Sequence, residues 1–152
     1  MTEGTKLIAE NRRARRDYEL LERLEAGVVL TGTEVKSARD GQVQLGQAYA
    51  DIRNGEAWLV GASISEYPQA GNFGHVPDRE RKLLLHRREI DSLYGKVREK
   101  GLTLVPTRMY FKDGRVKVEL ALAKGRERHD KRRVIADRDA QRQIERALKR
   151  RR

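Results

Sequence analysis

Two tight-turn dipeptides, each set between apolar runs, constrain the fold of this chain more than any other feature. They are Asn54-Gly55 and Asp113-Gly114. Type I′ turns prefer Asn-Gly and Asp-Gly because both central residues of such a turn need a positive φ. The sequence therefore predicts two β-hairpins. The strands predicted on either side of the turns are residues 48–52 and 57–64, and residues 102–111 and 115–123.

A second constraint is the stretch Gly27–Arg39, which joins two kinds of structure. Val28–Leu30 is a short apolar run that predicts a buried strand. After a break, residues 34–39 predict a short helix with Thr33 as N-cap and Gly41 as terminator. So short a helix must lean on a sheet. Its charged side chains either face water at one end of a barrel or form a rim that faces RNA.

The remaining elements follow from apolar periodicity. Tyr18–Leu30 fits a strand with Gly27 as a bulge or bend, although part of it also fits a helical stripe. Leu83–Leu85 predicts a buried strand next to a basic ledge that begins at Arg79. Ser65–Asp78 contains prolines and glycines and predicts a surface loop. Arg88–Lys100 has the clearest helical stripe, and Gly101 ends it.

Short apolar strands, tight hairpins and few helices are typical of a mainly β fold with peripheral helices. The natural candidate is an OB-like small β-barrel, partly open, followed by a flexible basic tail. The 152 residues suffice for one domain with a real core. We expect a flexible N-terminus over residues 1–10, the barrel over residues 11–123 and the tail over residues 124–152.

The charge of the chain is strongly positive and unevenly spread. Lys and Arg number 34 against 23 Asp and Glu, a net charge of +11. The stretch 124–152 alone holds 13 Lys and Arg against 5 Asp and Glu. Such an excess attracts polyanions, either nucleic acid or an anionic membrane. No apolar run approaches the roughly 20 residues of a spanning helix, and the start lacks a signal-peptide core. We therefore expect a cytoplasmic protein with no membrane partner.

The tail has its own pattern. Residues 124–133 carry no apolar side chain and cannot join a core. Beyond them, a thin apolar stripe predicts a mostly charged helix from about Asp137 to Lys149. We expect the tail to be disordered alone and to become helical when its arginines are neutralised. The stripe consists of Ala136, Ala140, Ile144, Ala147 and Leu148.

Signs of catalysis are weak. The sequence has no Walker-type glycine loop, no GxGxxG and no cysteine. His75, His86 and His129 are far apart and form no ligand-spaced pair. We expect the protein to bind no metal and no cofactor and not to be an enzyme. The rival from another class is a small hydrolase or nuclease centred on His86 or His129.

The best local candidate for RNA contact is an arginine cluster that precedes Tyr18. Guanidinium groups match phosphate geometry, and an aromatic ring can stack on a base. A solvated face explains such a cluster equally well. Lys82 and His86 are candidates of the same kind, although a histidine beside an apolar run is more often structural. The cluster is Arg12, Arg13, Arg15 and Arg16.

With these residues laid out, the chain resembles the SsrA-binding protein family, small protein B, the partner of transfer-messenger RNA in bacterial ribosome rescue. The likeness runs from about Asn11 to the C-terminus, and several consecutive motifs in one order make it specific. The motifs are NRRARRDY (11–18), EAGVVLTGTEVKS (25–37), RKLLLH (81–86), GKVREKGLTLVP (95–106), YFKDG (110–114), KVELALAKG (117–125) and DKR (130–132).

The resemblance implies an OB-like barrel that grips the tRNA-like elbow of transfer-messenger RNA, and a tail that enters the vacant mRNA channel of a stalled ribosome. It also implies that the chain is a non-enzymatic adaptor, and we expect a monomer when it is free. The alternative is a ribosomal or general single-strand RNA-binding OB-fold protein. The implied partners are therefore transfer-messenger RNA and the ribosome, whose small-subunit rRNA would meet the tail near the decoding centre.

The resemblance assigns residues to both partners. Arg16 and Glu127 depart from the usual family pattern of histidine and lysine, so the resemblance implies no stacking role at Arg16 and no phosphate contact at Glu127. The transfer-messenger RNA candidates are Asn11, Arg12, Arg13, Arg15, Tyr18, Glu34, Lys36, Lys82 and His86. The ribosome-side candidates are Lys124, Gly125, Arg126, His129, Asp130, Lys131, Arg132, Arg142 and Arg146.

Overall fold

Strands dominate the part of the chain that the computed structural model describes, which is residues 5–125, 138 and 140–147. Pro68–Phe73 forms two short 3₁₀ turns separated by a kink at Gly71, and residues 140–147 are helical. The other elements, in chain order, are β1 (Thr5–Glu10), α1 (Arg12–Asp17), β2 (Tyr18–Val28), α2 (Gly32–Arg39), β3 (Val43–Gln44), β4 (Tyr49–Arg53), β5 (Glu56–Val60), β6 (Ser63–Ile64), β7 (Arg81–Leu84), α3 (Arg87–Lys100), β8 (Thr103–Lys112) and β9 (Arg115–Gly125).

The strand pairings close into a ring. The order is β8, β4, β5, β7, β2 and β9, and β9 pairs again with β8. Every pairing is antiparallel, β1 adds to β8 outside the ring, and β3 and β6 form a separate small sheet. Closure removes the free edges that an open sheet would expose. The predicted mainly β, OB-like class is confirmed.

Both predicted hairpins are confirmed. In the first, φ is 52° at Asn54 and 74° at Gly55, and in the second it is 52° at Asp113 and 76° at Gly114. These are the positive values that a type I′ turn requires. The turns join β4 to β5 and β8 to β9. They set the register of four of the six strands in the ring.

The core lies inside the ring, with a small satellite cluster on its outside. The predicted apolar face of β9 is buried at Val116, Val118, Leu120 and Leu122. The opposite face of the same strand is also buried where α1 covers it. There Ala14 of α1 packs with Val105, Ala121 and Ala123. The satellite cluster therefore attaches α1 to the barrel wall.

Helix α3 confirms the strongest periodicity in the sequence. Ile90 and Leu93 are buried, and Gly101 ends the helix in the left-handed conformation. Helix α2 is also found, but the predicted N-cap is wrong. Thr31 caps it instead of Thr33, because its side chain accepts from the Glu34 amide while Glu34 Oε1 accepts from the Thr31 amide at 2.8 Å. This reciprocal pair is a capping box.

The sheet extends beyond the predicted barrel, residues 11–123, at both ends. Residues 5–10, predicted as flexible, form β1, because the backbone edge of β8 pairs with them. Residues 1–4 lie outside the described part. Lys124 and Gly125, predicted as tail, end β9 and pair with Glu19 and Tyr18. The ordered sheet therefore runs from residue 5 to residue 125.

Two details of β2 also differ from prediction. The bulge expected at Gly27 lies between Leu20 and Glu22, and Gly27 pairs regularly with both neighbouring strands. Strand β2 ends at Val28, so the buried strand predicted over Val28–Leu30 holds only at its first residue. Val29 is exposed. In the described part of the chain, no helix is long and apolar enough to cross a membrane.

Candidate nucleic-acid interface

Asn11 anchors α1 to the barrel. Its Oδ1 accepts from the Ala14 amide at 3.2 Å, and its Nδ2 donates to the carbonyls of Leu45 at 3.1 Å and Pro106 at 2.8 Å. Only 6% of the residue is exposed. The polar atoms of this side chain are therefore all used inside the protein in this structure, and the RNA contact predicted for it stays a prediction. Asn11 sets the position of the arginines that follow it.

The α1 arginines, Arg12, Arg13, Arg15 and Arg16, project from the helix into solvent. Arg13 and Arg16 each bind a different carboxylate oxygen of Asp17 at 3.2 Å. The side chain of Arg12 is 93% exposed, with Glu10 at 4.0 Å. Arg15 has no ion-pair or hydrogen-bond partner for its side chain within the described residues. Arg12 and Arg15 are therefore the two α1 arginines best placed to meet a phosphate.

A polar cleft of about 310 Å³ lies between α1 and β8. Within it, Arg108 binds Glu119 at 3.1 Å, whereas Arg12 and Arg15 line the side formed by α1. Tyr18, predicted to stack on a base, is half-buried and packs against the satellite cluster. The cleft is lined by Glu10, Asn11, Arg12, Arg15, Thr107, Arg108, Glu119 and Arg138.

Glu34 is buried inside the protein, so its carboxylate is not exposed in this structure and the RNA contact predicted for it stays a prediction. The residue is 0% exposed, and its carboxylate binds Arg81 at 2.6 Å and Arg79 at 2.5 Å. Burial alone would raise the pKa of Glu34, but hydrogen bonds from Arg79, the Thr31 amide and Arg81 outweigh it and lower the pKa to about 2. The capping box turns this side chain inward, so Glu34 fixes α2 on the barrel.

Arg81, which the sequence presented as part of a basic ledge, is the centre of this buried network. It is fully buried and also donates to the carbonyls of Ala62 at 2.8 Å and Pro77 at 2.9 Å. These bonds tie the predicted surface loop to the barrel. The signal that sequence reasoning missed is the alternation along β7, which turns Arg81 and Leu83 to the same, buried side.

The other predicted residues in the sheet and helices are exposed or half-buried. Lys36 lies with its Nζ 5.3 Å from the Tyr67 ring centre. Lys82 is half-buried and pairs with Glu56 at 3.5 Å. His86 is exposed at the start of α3, and its amide donates to Glu89 Oε1 at 3.1 Å. The structure therefore places the exposed or half-buried RNA-side candidates on several different elements and buries Asn11 and Glu34.

Part of the predicted ribosome-side set can be located. Lys124 and Gly125 end β9, and Gly125 pairs with Tyr18, the residue that follows α1. The tail therefore leaves the sheet beside the α1 arginines. Arg142 and Arg146 are exposed within the helical stretch 140–147. The predictions for Arg126, His129, Asp130, Lys131 and Arg132 lie outside the described residues.

Within the ranges described, no three His, Asp or Glu side chains are arranged to hold a metal ion. A model of the protein family described as "SmpB protein" matches residues 8–150. The chain belongs to the SmpB family. The family predicted from the sequence motifs is thereby confirmed.

Similar proteins support the assignment of this chain to the SmpB family. An SsrA-binding protein of Carboxydothermus hydrogenoformans is 57% identical over 144 residues, covering 95% of this chain and 97% of the relative. One of Gloeothece citriformis is 57% identical over 147 residues, covering 96% and 95%. One of Mycolicibacterium smegmatis is 54% identical over 148 residues, covering 97% and 92%.

A solved SmpB structure shares the fold. It is described as "tmRNA-SmpB: a journey to the center of the bacterial ribosome", and its TM-score to this chain is 0.68 at 47% identity. The match covers 84% of this chain and 93% of that chain. The RNA and ribosome roles of individual side chains stay predictions.

Proposed function

We propose that this chain binds the tRNA-like part of transfer-messenger RNA and delivers it to stalled ribosomes, acting as a non-enzymatic adaptor. The observation that carries the proposal is the position of the α1 arginines beside the start of the basic tail, since Gly125 pairs with Tyr18. Relatives that share more than half of their residues with this chain are named for binding SsrA. The solved SmpB structure is described with transfer-messenger RNA and the ribosome.

The division of labour follows from the charge distribution. The barrel offers a rigid α1 with Arg12 and Arg15 available to phosphates, and this arrangement suits a folded RNA of fixed shape. The tail carries most of the surplus charge, with 13 Lys and Arg against 5 Asp and Glu over residues 124–152. We propose that it occupies the empty mRNA channel near the decoding centre, where rRNA phosphates neutralise it and mRNA would otherwise obstruct it.

A gel-shift competition tests the RNA half of the proposal. The protein is titrated with labelled transfer-messenger RNA at a fixed salt concentration, and an unlabelled tRNA-like fragment or an unfolded oligonucleotide of equal length competes. We expect the folded fragment to displace the label at a much lower concentration. Equal competition by the unfolded oligonucleotide would instead support a general single-strand RNA-binding protein.

A further inference from the structure

A cleft of about 530 Å³ lies between β2 and α3. Of the residues that line it, only His86 was predicted from the sequence to contact RNA. Leu24 of β2 and Leu93 of α3 supply its apolar floor. Lys96 spans the two elements by binding Glu22 at 2.8 Å and 3.1 Å. We call this feature the β2–α3 cleft. Its lining is Glu22, Arg23, Leu24, His86, Arg88, Glu89, Ser92, Leu93 and Lys96.

The mouth of the cleft carries cations that have no partner among the described residues. Arg23 and Arg88 are exposed, and their side chains form no hydrogen bond or ion pair with any residue that the structure describes. His86 is exposed on the same rim, next to the carboxylate of Glu89. The β2–α3 cleft therefore combines an apolar floor, two free guanidinium groups and carboxylate acceptors.

We propose that the β2–α3 cleft binds one unpaired nucleotide of the RNA, an inference that rests on the proposed function. A nucleobase has flat apolar faces that suit Leu24 and Leu93, and exocyclic amino groups that a carboxylate can accept from. Its phosphate would lie at the mouth, near Arg23 and Arg88. An apolar peptide would cover the floor but would give the two guanidinium groups no anion.

The location of the cleft allows one RNA to reach it and α1 together. Both lie along β2, which begins at Tyr18 directly after α1 and contributes Glu22, Arg23 and Leu24 to the cleft. At about 3.3 Å per residue, these positions lie roughly 13–20 Å beyond the start of the strand. A few nucleotides of extended chain span that distance, so an unpaired base can enter the cleft while a neighbouring helical segment meets the arginines.

The first test fills the cleft without changing the core. Ser92 is exposed and lines the cleft, whereas Glu99 is exposed on the same helix and does not line it. Ser92→Tyr should weaken binding of transfer-messenger RNA about ten-fold, because stacking of a single base contributes on that scale. Glu99→Tyr should bind as the unaltered protein does. Circular dichroism and urea unfolding check that both variants fold.

A second pair of variants keeps the test decisive if Ser92→Tyr does not fold. Arg88→Ala should weaken binding and lower the slope of log affinity against log salt by about 1, because one phosphate contact is lost. Arg98→Ala, on the same helix, should leave the slope unchanged, since Arg98 lies over Tyr94 and lines no part of the cleft. Equal slopes for the two variants would overturn the proposal.

A photo-cross-linking amino acid at position 92 identifies what enters the cleft. An unpaired nucleotide of transfer-messenger RNA should be captured, whereas cross-links confined to base-paired stems, or none, refute the site. The unaltered protein in the same gels separates two kinds of failure. If the unaltered protein prefers transfer-messenger RNA and Ser92→Tyr binds that RNA as tightly as the unaltered protein does, only the proposed nucleotide site is wrong. If the unaltered protein does not prefer transfer-messenger RNA but Ser92→Tyr weakens binding to the unfolded oligonucleotide, the nucleotide site is supported and the proposed function is wrong.

Discussion

Glu34 lies on a short helix among basic residues, yet it is closed off from solvent. Its carboxylate receives hydrogen bonds from Arg79, Arg81 and the Thr31 amide. Removing one partner of a buried, hydrogen-bonded ion pair leaves the other charge uncompensated, which is more costly than losing a surface pair. The residue therefore has a structural role, since it holds α2 against Arg81 and the loop that Arg81 tethers.

The pH dependence of stability tests this role. The pKa of Glu34 falls from 4.5 to about 2 on folding, so its contribution is fully present above pH 4.5 and is lost as the pH falls towards 2. Glu34→Gln should lower the free energy of unfolding at pH 7 by roughly 3–5 kcal/mol. The difference in the free energy of unfolding between the unaltered protein and Glu34→Gln should become smaller as the pH falls. Urea unfolding at a series of pH values measures it.

Glu56→Gln is the matched control for that experiment. Glu56 pairs with Lys82 at 3.5 Å, and both side chains are nearly half exposed. An exposed pair contributes less than about 1 kcal/mol. The control should therefore lose little stability at any pH. Equal losses for the two glutamine variants would show that the buried network does not hold α2.

Arg15 provides a second test at the scale of one residue. It has no partner in the described chain, so its guanidinium is available to a phosphate without first breaking an ion pair. Arg15→Ala should lower the slope of log affinity against log salt by about 1 for transfer-messenger RNA. Arg98→Ala should not change it. Gel shifts at several salt concentrations compare the two, and an unchanged slope for Arg15→Ala would exclude a phosphate contact there.

At the scale of elements, α1 depends on contacts outside itself. A helix of 6 residues is too short to be stable alone. Asn11 caps it and binds two carbonyls of the barrel, and Ala14 packs into the satellite cluster. These contacts hold the backbone of α1 in place within the protein itself, so ordering that backbone adds no entropy cost when a ligand binds.

Asn11→Asp separates capping from anchoring. Aspartate still accepts from the Ala14 amide but cannot donate to Leu45 or Pro106, and its charge is buried. We expect a loss of about 2 kcal/mol or more in the free energy of unfolding, faster amide exchange at Ala14 and weaker RNA binding. Asn72→Asp, at an exposed position of the Pro68–Phe73 segment, is the control. If Asn11→Asp binds RNA normally, the anchoring of α1 does not matter for recognition.

The elements that were predicted correctly from the sequence are those that depend only on residues close together in the chain. The turn at Asp113-Gly114 requires only two residues that tolerate positive φ, and the stripe of α3 requires only its own spacing. Strand β1 was missed because its partner, β8, lies about a hundred residues further along the chain.

The same distinction holds in the candidate interface. The exposed α1 arginines were predicted from their clustering. The burial of Glu34 was not, because Arg81 is distant in sequence and its burial follows from the alternation along β7. The β2–α3 cleft was also missed, since it forms only when β2 and α3 are brought together by the fold.

At the scale of the whole molecule, the last described residue of β9 lies next to the end of α1. The strand pairing of Gly125 with Tyr18 brings the start of the tail to the end of α1. The closed ring and both hairpins lie within residues 5–125. The hydrogen bonds that position α1 come from residues within 5–125, and the described residues after 125 supply none of them.

Truncation tests whether the two regions act separately. A chain that ends at Gly125 retains the pairings of Lys124 and Gly125 with Glu19 and Tyr18. It should bind transfer-messenger RNA within about two-fold of the full chain and should fail to support tagging on stalled ribosomes. A chain that ends at Ala123 loses those two pairings next to α1, so it should bind the RNA more weakly. Gel shifts and a tagging assay measure the two activities. If the chain that ends at Gly125 loses RNA binding altogether, the tail belongs to the RNA site and the proposed division of labour is wrong.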